Sequence, residues 1–125
     1  MRFLHMGFAA KSEGAVDRFY RDLCGLSEVK RFTVSAELMD SLFGLARETE
    51  AVVFAAGDAT LEVFLVDDAP PLPAPAHGAL GVDDVEAFAA RAREAGFPVT
   101  VAPKGDGTVT FVSDADGNRF EIKPL

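Results

Sequence analysis

The feature that most constrains this chain is that it is built twice. The segment "HMGFAAKSEGAVDRFYRDLCGL" and the later "HGALGVDDVEAFAARAREAGF" share one plan: a histidine, a short apolar strand, and a helix opened by a Val-x-x-Phe pair, Val16/Phe19 in one and Val85/Phe88 in the other. Each half then runs through strands that end on one carrying a glutamate between apolar neighbours, Glu62 in "TLEVFLV" and Glu121 in "NRFEIKPL". The first half is longer by about the length of its extra "AELMDSLFGL" stretch, so the correspondence survives the difference in length. Repeats of this kind arise when one supersecondary unit is used twice around a common core or site.

Within each half the periodicity gives the elements. In the first, "RFLHMGFAA" predicts a strand, and Val16, Phe19, Tyr20 and Leu23 recur at helical spacing up to a stop at Gly25. "SEVKRFTVS" predicts a strand, "AELMDSLFGL" a short helix, and "EAVVFAAGD" with "ATLEVFLV" a hairpin around Gly57-Asp58. Cys24, beside Leu23 in the helical pattern, is expected to be a small buried residue. The Pro-rich "DDAPPLPAPA" is a connector rather than a central strand. After it come a strand in "HGALGV", a helix in "DDVEAFAARAREAG" with an Asp N-cap and a Gly stop, and three strands in "FPVTVAP", "GTVTFVS" and "NRFEIKPL". In the last strand alternation puts Phe120, Ile122 and Pro124 on one face and Arg119, Glu121 and Lys123 on the other.

A chain of 125 residues supports one domain with one core, here residues 1–125 as two modules of about 1–68 and 76–125. The 49% hydrophobic content and 11 Phe suit a buried fold, and the net charge of −8 without a basic run excludes phosphate-backbone recognition of nucleic acid. No apolar run is long enough for a membrane span, and the N-terminal segment does not read as a secretion signal. With a single cysteine no intrachain disulfide can form, and a cytoplasmic location is expected.

The chain has only two histidines, His5 and His77, and they occupy the same place in the repeat, as do Glu62 and Glu121. A carboxylate among apolar neighbours carries a desolvation cost unless it has a partner. Two imidazoles and two carboxylates make a four-donor N/O set suited to a divalent cation such as zinc, nickel, cobalt or manganese. Two modules related by a pseudo-twofold would turn all four toward one point.

At these residues the chain resembles the vicinal oxygen chelate superfamily, the glyoxalase, bleomycin-resistance and dioxygenase group, over nearly its whole length. The resemblance rests on the His5, Glu62, His77, Glu121 set, on "FYRDLCGL", and on "FVSDADGNRFEIKPL", where Ala115 stands at a position usually occupied by proline. It implies an α+β fold of paired βαβββ modules curved around one metal ion. The two-His, two-Glu set is similar to bacterial glyoxalase I. A methylmalonyl-CoA epimerase usually has Gln in place of Glu62, and dioxygenases and fosfomycin thiol transferases use three ligands, matching His5, His77 and Glu121.

The resemblance implies a glyoxalase I-like, lactoylglutathione lyase-type metalloenzyme acting on a small molecule. The metal, nickel, cobalt or zinc with manganese or iron as further options, would hold two neighbouring substrate oxygens and stabilise an enediolate. Glu121 is the first candidate for the base, with Glu62 as its counterpart. The alternatives are an epimerase, another enzyme of the superfamily such as a dioxygenase or thiol transferase, and a binding protein without chemistry. Lys30, Arg31 and Lys104 are the candidate anchors for glutathione carboxylates. Uncovered strand edges, and the habit of relatives, imply a homodimer.

Overall fold

The doubled plan is realised as two four-stranded sheets, each with a helix after its first strand, in a computed structural model that describes residues 1–125. The fold is the α+β pairing of βαβββ modules, and the chain divides into two units, Met1–Ala69 and Pro70–Leu125.

The first unit runs β1 (His5–Ala10), α1 (Glu13–Val16), β2 (Glu28–Val34), α2 (Ala36–Phe43), β3 (Thr49–Ala56) and β4 (Ala59–Leu65). Its sheet order is β1-β4-β3-β2, with β1 parallel to β4 and the other pairs antiparallel. Ser12 caps α1, its hydroxyl accepting from the Ala15 amide at 3.3 Å. Beyond Val16 the helix widens into a π-helical segment, Asp17–Leu23, in which the Cys24 amide donates to the Phe19 carbonyl five residues back. The spacing of apolar residues predicts an ordinary helix here, so the wider winding is a difference from the sequence expectation. It leaves Val16, Phe19, Tyr20 and Leu23 all buried, as the pattern requires. Tyr20 meets Phe54 and Phe8 at ring-centroid separations of 5.6 Å each, and burying each such ring contributes roughly 2–3 kcal/mol. Cys24 is only half-buried, because it lies at the C-cap beyond the last inward-facing position. The first strand also starts later than the sequence suggests, at His5, leaving Phe3 and Leu4 exposed.

A charged lattice lies across the helix and the β2 edge of this unit. Arg31 reaches Glu13, Glu28 and Glu50 at 2.7 Å each, and Arg21 reaches Glu28 at 2.8 Å and Asp17 at 3.1 Å.

The second unit runs β5 (Gly78–Val82), α3 (Val85–Glu94), β6 (Val99–Lys104), β7 (Gly107–Ser113) and β8 (Arg119–Pro124), with sheet order β5-β8-β7-β6 and β5 parallel to β8. Asp84 caps α3 by accepting from the Ala87 amide at 2.9 Å. Phe88, Ala89 and Ala92 form the buried face of that helix, and Phe120 and Ile122 the buried face of β8. The turn before β8 is organised by two buried polar residues. The Asp114 carboxylate accepts from the amides of Asp116 and Asn118 and from the Asn118 side-chain Nδ2, each at 2.9 Å. Asn118 in turn accepts from the Leu72 amide at 3.1 Å, which fastens the Pro-rich segment to the turn.

Candidate metal centre

Parallel pairing of the first and last strands of each unit decides where the four candidate ligands stand. In the first unit Gly7 is opposite Glu62, and in the second Ala79 is opposite Glu121. His5 and His77 lie two residues before Gly7 and Ala79, so each histidine shares its strand's face with the residue opposite its glutamate. Each unit therefore brings one His–Glu pair together. His5 Nε2 stands 3.6 Å from Glu62 Oε2, and His77 Nε2 stands 4.0 Å from Glu121 Oε2. The glutamates are mostly covered, at 20% and 17% side-chain exposure, while the histidines are more open. Within neither unit do three or more His, Cys, Asp or Glu side chains gather around one point.

The pairs fit a divalent ion. Two donors each ~2.1 Å from one tetrahedral centre stand roughly 3.4 Å apart, close to the His5–Glu62 separation and a small side-chain movement from the other. His77 adds a second feature, for its Nδ1 lies 2.8 Å from the Pro75 carbonyl oxygen. A carbonyl accepts only, so Nδ1 carries the proton, and in the neutral ring Nε2 presents its lone pair on the Glu121 side. An outer partner that fixes the ring in this way is the usual support of a ligating histidine.

The surroundings of the two pairs differ. Glu121 also meets Lys123 Nζ at 3.0 Å. Glu62 is followed on its face by Phe64, and a cavity of about 370 Å³ opens there. Its walls are His5, Glu62, Phe64, and Met39, Phe43 and Leu45 from α2 and the loop after it. Gly7 permits this, since a Cβ at that position would lie 3.3 Å from the Phe64 ring. Alternation in the sequence already set Lys123 on the face of Glu121, whereas Phe64 went unmarked as part of the site. Phe64 stands two residues beyond Glu62, and the same period of two was the signal that could have found it. Of the candidate anchors, Arg31 is engaged by three carboxylates, which raise its pKa. Lys30 lies over the Phe32 ring at 5.3 Å. Lys104 sits at the exposed end of β6.

The comparisons with known proteins agree with this fold. The chain belongs to the Glyoxalase/Bleomycin resistance protein/Dioxygenase superfamily, whose sequence model matches residues 2–122. No curated protein matches it in sequence. Among solved structures it is similar to the glyoxalase family protein from Enterococcus faecalis, at 22% identity over 97% of this chain and 95% of that one, with a TM-score of 0.70. It is similar also to the trypanothione-dependent glyoxalase I of Leishmania major, at 21% identity over 99% and 86% of the two chains, TM-score 0.75. A variant of the fosfomycin resistance protein of Listeria monocytogenes, in complex with Mn(II) and 1S,2S-dihydroxypropylphosphonic acid, matches at 15% identity over 99% and 92%, TM-score 0.73. At these identities the likeness is one of fold.

Proposed function

We propose that this protein is a glyoxalase I-like metal-dependent lyase or isomerase that moves a proton between carbons beside a carbonyl. The observation that carries the reading is the recurrence of one His–Glu pair at the same register position of both units. His5, Glu62, His77 and Glu121 would hold the ion, which would be nickel, cobalt or zinc, with manganese or iron as alternatives. When bound, the ion supplies Lewis acidity toward two neighbouring oxygens of the substrate. Glu121 takes the proton from the carbon next to the carbonyl and returns it to the adjacent carbon, and Glu62 serves as its counterpart on the opposite face. The four side chains come from one chain or from two chains of a homodimer. Exposed Phe3, Leu4, Leu38 and Leu42 support the homodimer as apolar surface that a partner copy would cover. No helix is long and apolar enough to cross a membrane, and the lone Cys24 supports a reducing, cytoplasmic setting.

Elemental analysis of the purified protein, followed by a hemithioacetal assay with methylglyoxal and glutathione, tests this reading. A stoichiometric divalent ion with turnover supports it. Iron with oxygen uptake would favour a dioxygenase, and bound metal without either activity an epimerase or thiol transferase. The apolar cavity beside Glu62 supports a second reading, a small-molecule binding protein without chemistry, which absence of metal would favour.

A further inference from the structure

The helix α2 has no counterpart in the second unit, and its side chains enclose the apolar cavity next to His5 and Glu62. Ser35 caps it, accepting from the Leu38 amide at 3.2 Å, and Gly44 ends it in the left-handed region at φ 68°. Met39 faces inward at 1% exposure, whereas Phe43 at the C-terminal end remains 56% exposed. Phe43 meets Phe64 edge-on at 5.8 Å, and Phe64 meets Phe32 edge-on at 6.3 Å. The loop after α2 is tied to the end of β4 by Arg47, which reaches Asp68 at 2.8 Å and Asp67 at 3.3 Å. That clamp spends the nearby cation on the protein's own carboxylates.

The lining contains no Lys or Arg, and its only charged member is the carboxylate of Glu62. Before any ion is bound, an anionic group placed there would meet the like charge of Glu62, with the His5 imidazole the one nitrogen-bearing side chain in the lining. The volume, about 370 Å³, exceeds the roughly 150 Å³ that accommodates a benzene ring, leaving room for a ring or branched alkyl group together with the carbons to which it is attached. We infer that this cavity is a substrate-selecting subsite for an uncharged aryl or branched alkyl group carried next to the reacting oxygens, with Phe43 as its adjustable wall. The inference rests on the function proposed above for its reacting oxygens, and it deepens that reading by excluding a charged thiol conjugate from this subsite. The cleft between α3 and the face bearing Thr108, Thr110 and Pro124 carries Glu86 and Arg93 but neither a histidine nor an aromatic wall.

The test uses the metal-free full chain, labelled for NMR and titrated with 2-hydroxyacetophenone, an uncharged aryl compound with neighbouring oxygens. Lactate and S-methylglutathione serve as charged comparators. The expected result is saturable shifts centred on Gly7, Phe43, Leu45 and Phe64, with the comparators leaving these residues unmoved. Phe43→Ser should weaken binding at least ~10-fold, and Phe43→Leu should restore most of it. Lack of saturation, shifts centred outside the first unit, or equal binding by lactate would overturn the inference. Because binding is read without metal or turnover, the two readings fail separately. Binding of the aryl probe by a protein that proves inactive leaves the subsite standing, and an active metalloenzyme that ignores the probe leaves only the function standing.

Discussion

Lys123 and Glu121 are joined by a 3.0 Å ion pair on the face of β8 that also carries the candidate metal site. In the first unit the residue two places beyond the glutamate is Phe64, so the two His–Glu pairs are alike in donors and unlike in charge. An ammonium at that distance occupies a carboxylate lone pair and repels an incoming dication. Lys123→Met is therefore expected to tighten divalent-ion binding several-fold by isothermal titration. An unchanged affinity would mean that Lys123 swings away at no cost, and a weaker one that Lys123 supports the ligand set rather than competing with it.

The glutamates themselves give a sharper test. Glu121→Gln should keep the fold, since the amide is isosteric and the buried face of Phe120 and Ile122 is untouched. It should loosen the metal, because one negative charge leaves the ligand set, and lower any isomerase rate by at least ~10²-fold. Glu62→Gln should weaken metal binding in the same way. Metal content and turnover at wild-type levels in both variants would remove the catalytic assignment.

Much of this was legible in the sequence because short-range periodicity wrote it. Alternation in "NRFEIKPL" put Phe120 and Ile122 inward, and they are 0% and 3% exposed. Asp84 read as an N-cap and is one. The π-helical turn was not legible, because Val16, Phe19, Tyr20 and Leu23 satisfy an α pattern as well as the wider one. Nor was the consumption of Arg31: Glu28 is a local partner three residues away, but Glu50 meets it only after β2 and β3 pair, and Glu13 only once α1 has packed beside β2. The aromatic wall of the cavity failed for the same reason: Phe43 and Phe64 are far apart in the chain and share no local pattern. Local chemistry announces which residues face the site, while long-range pairing decides which of them remain free.

Acid should weaken the lattice around Arg31. Hydrogen bonds from Arg31 and then Arg21 hold the Glu28 carboxyl at about 2, below its ordinary value of 4.5. A carboxyl whose pKa is lower in the folded state contributes stability that is fully present above the unfolded value and is lost as pH falls toward the folded one. The window is thus from about pH 4.5 down to about pH 2. Urea midpoints of the wild type should fall across it, and Glu28→Gln should flatten that fall. An equally steep decline in the variant would place the acid-sensitive group elsewhere.

Asn118 offers the clearest measure of what holds the final strand. It is fully buried, donates from Nδ2 to Asp114 at 2.9 Å, and accepts from the Leu72 amide at 3.1 Å. Asn118→Ala would take one donor from a buried carboxylate and leave the Leu72 amide without its acceptor. Each loss costs roughly 1–3 kcal/mol, so a destabilisation of about 2–4 kcal/mol is expected in urea unfolding. Asn118→Asp should be worse than Ala, because it sets a second carboxylate beside Asp114 in a site closed to water. Hydrogen exchange should then quicken at Asp116, Asn118 and Leu72 before it does in α3. If Asn118→Ala unfolds at the wild-type midpoint, water replaces the side chain and the turn owes its shape to the backbone alone.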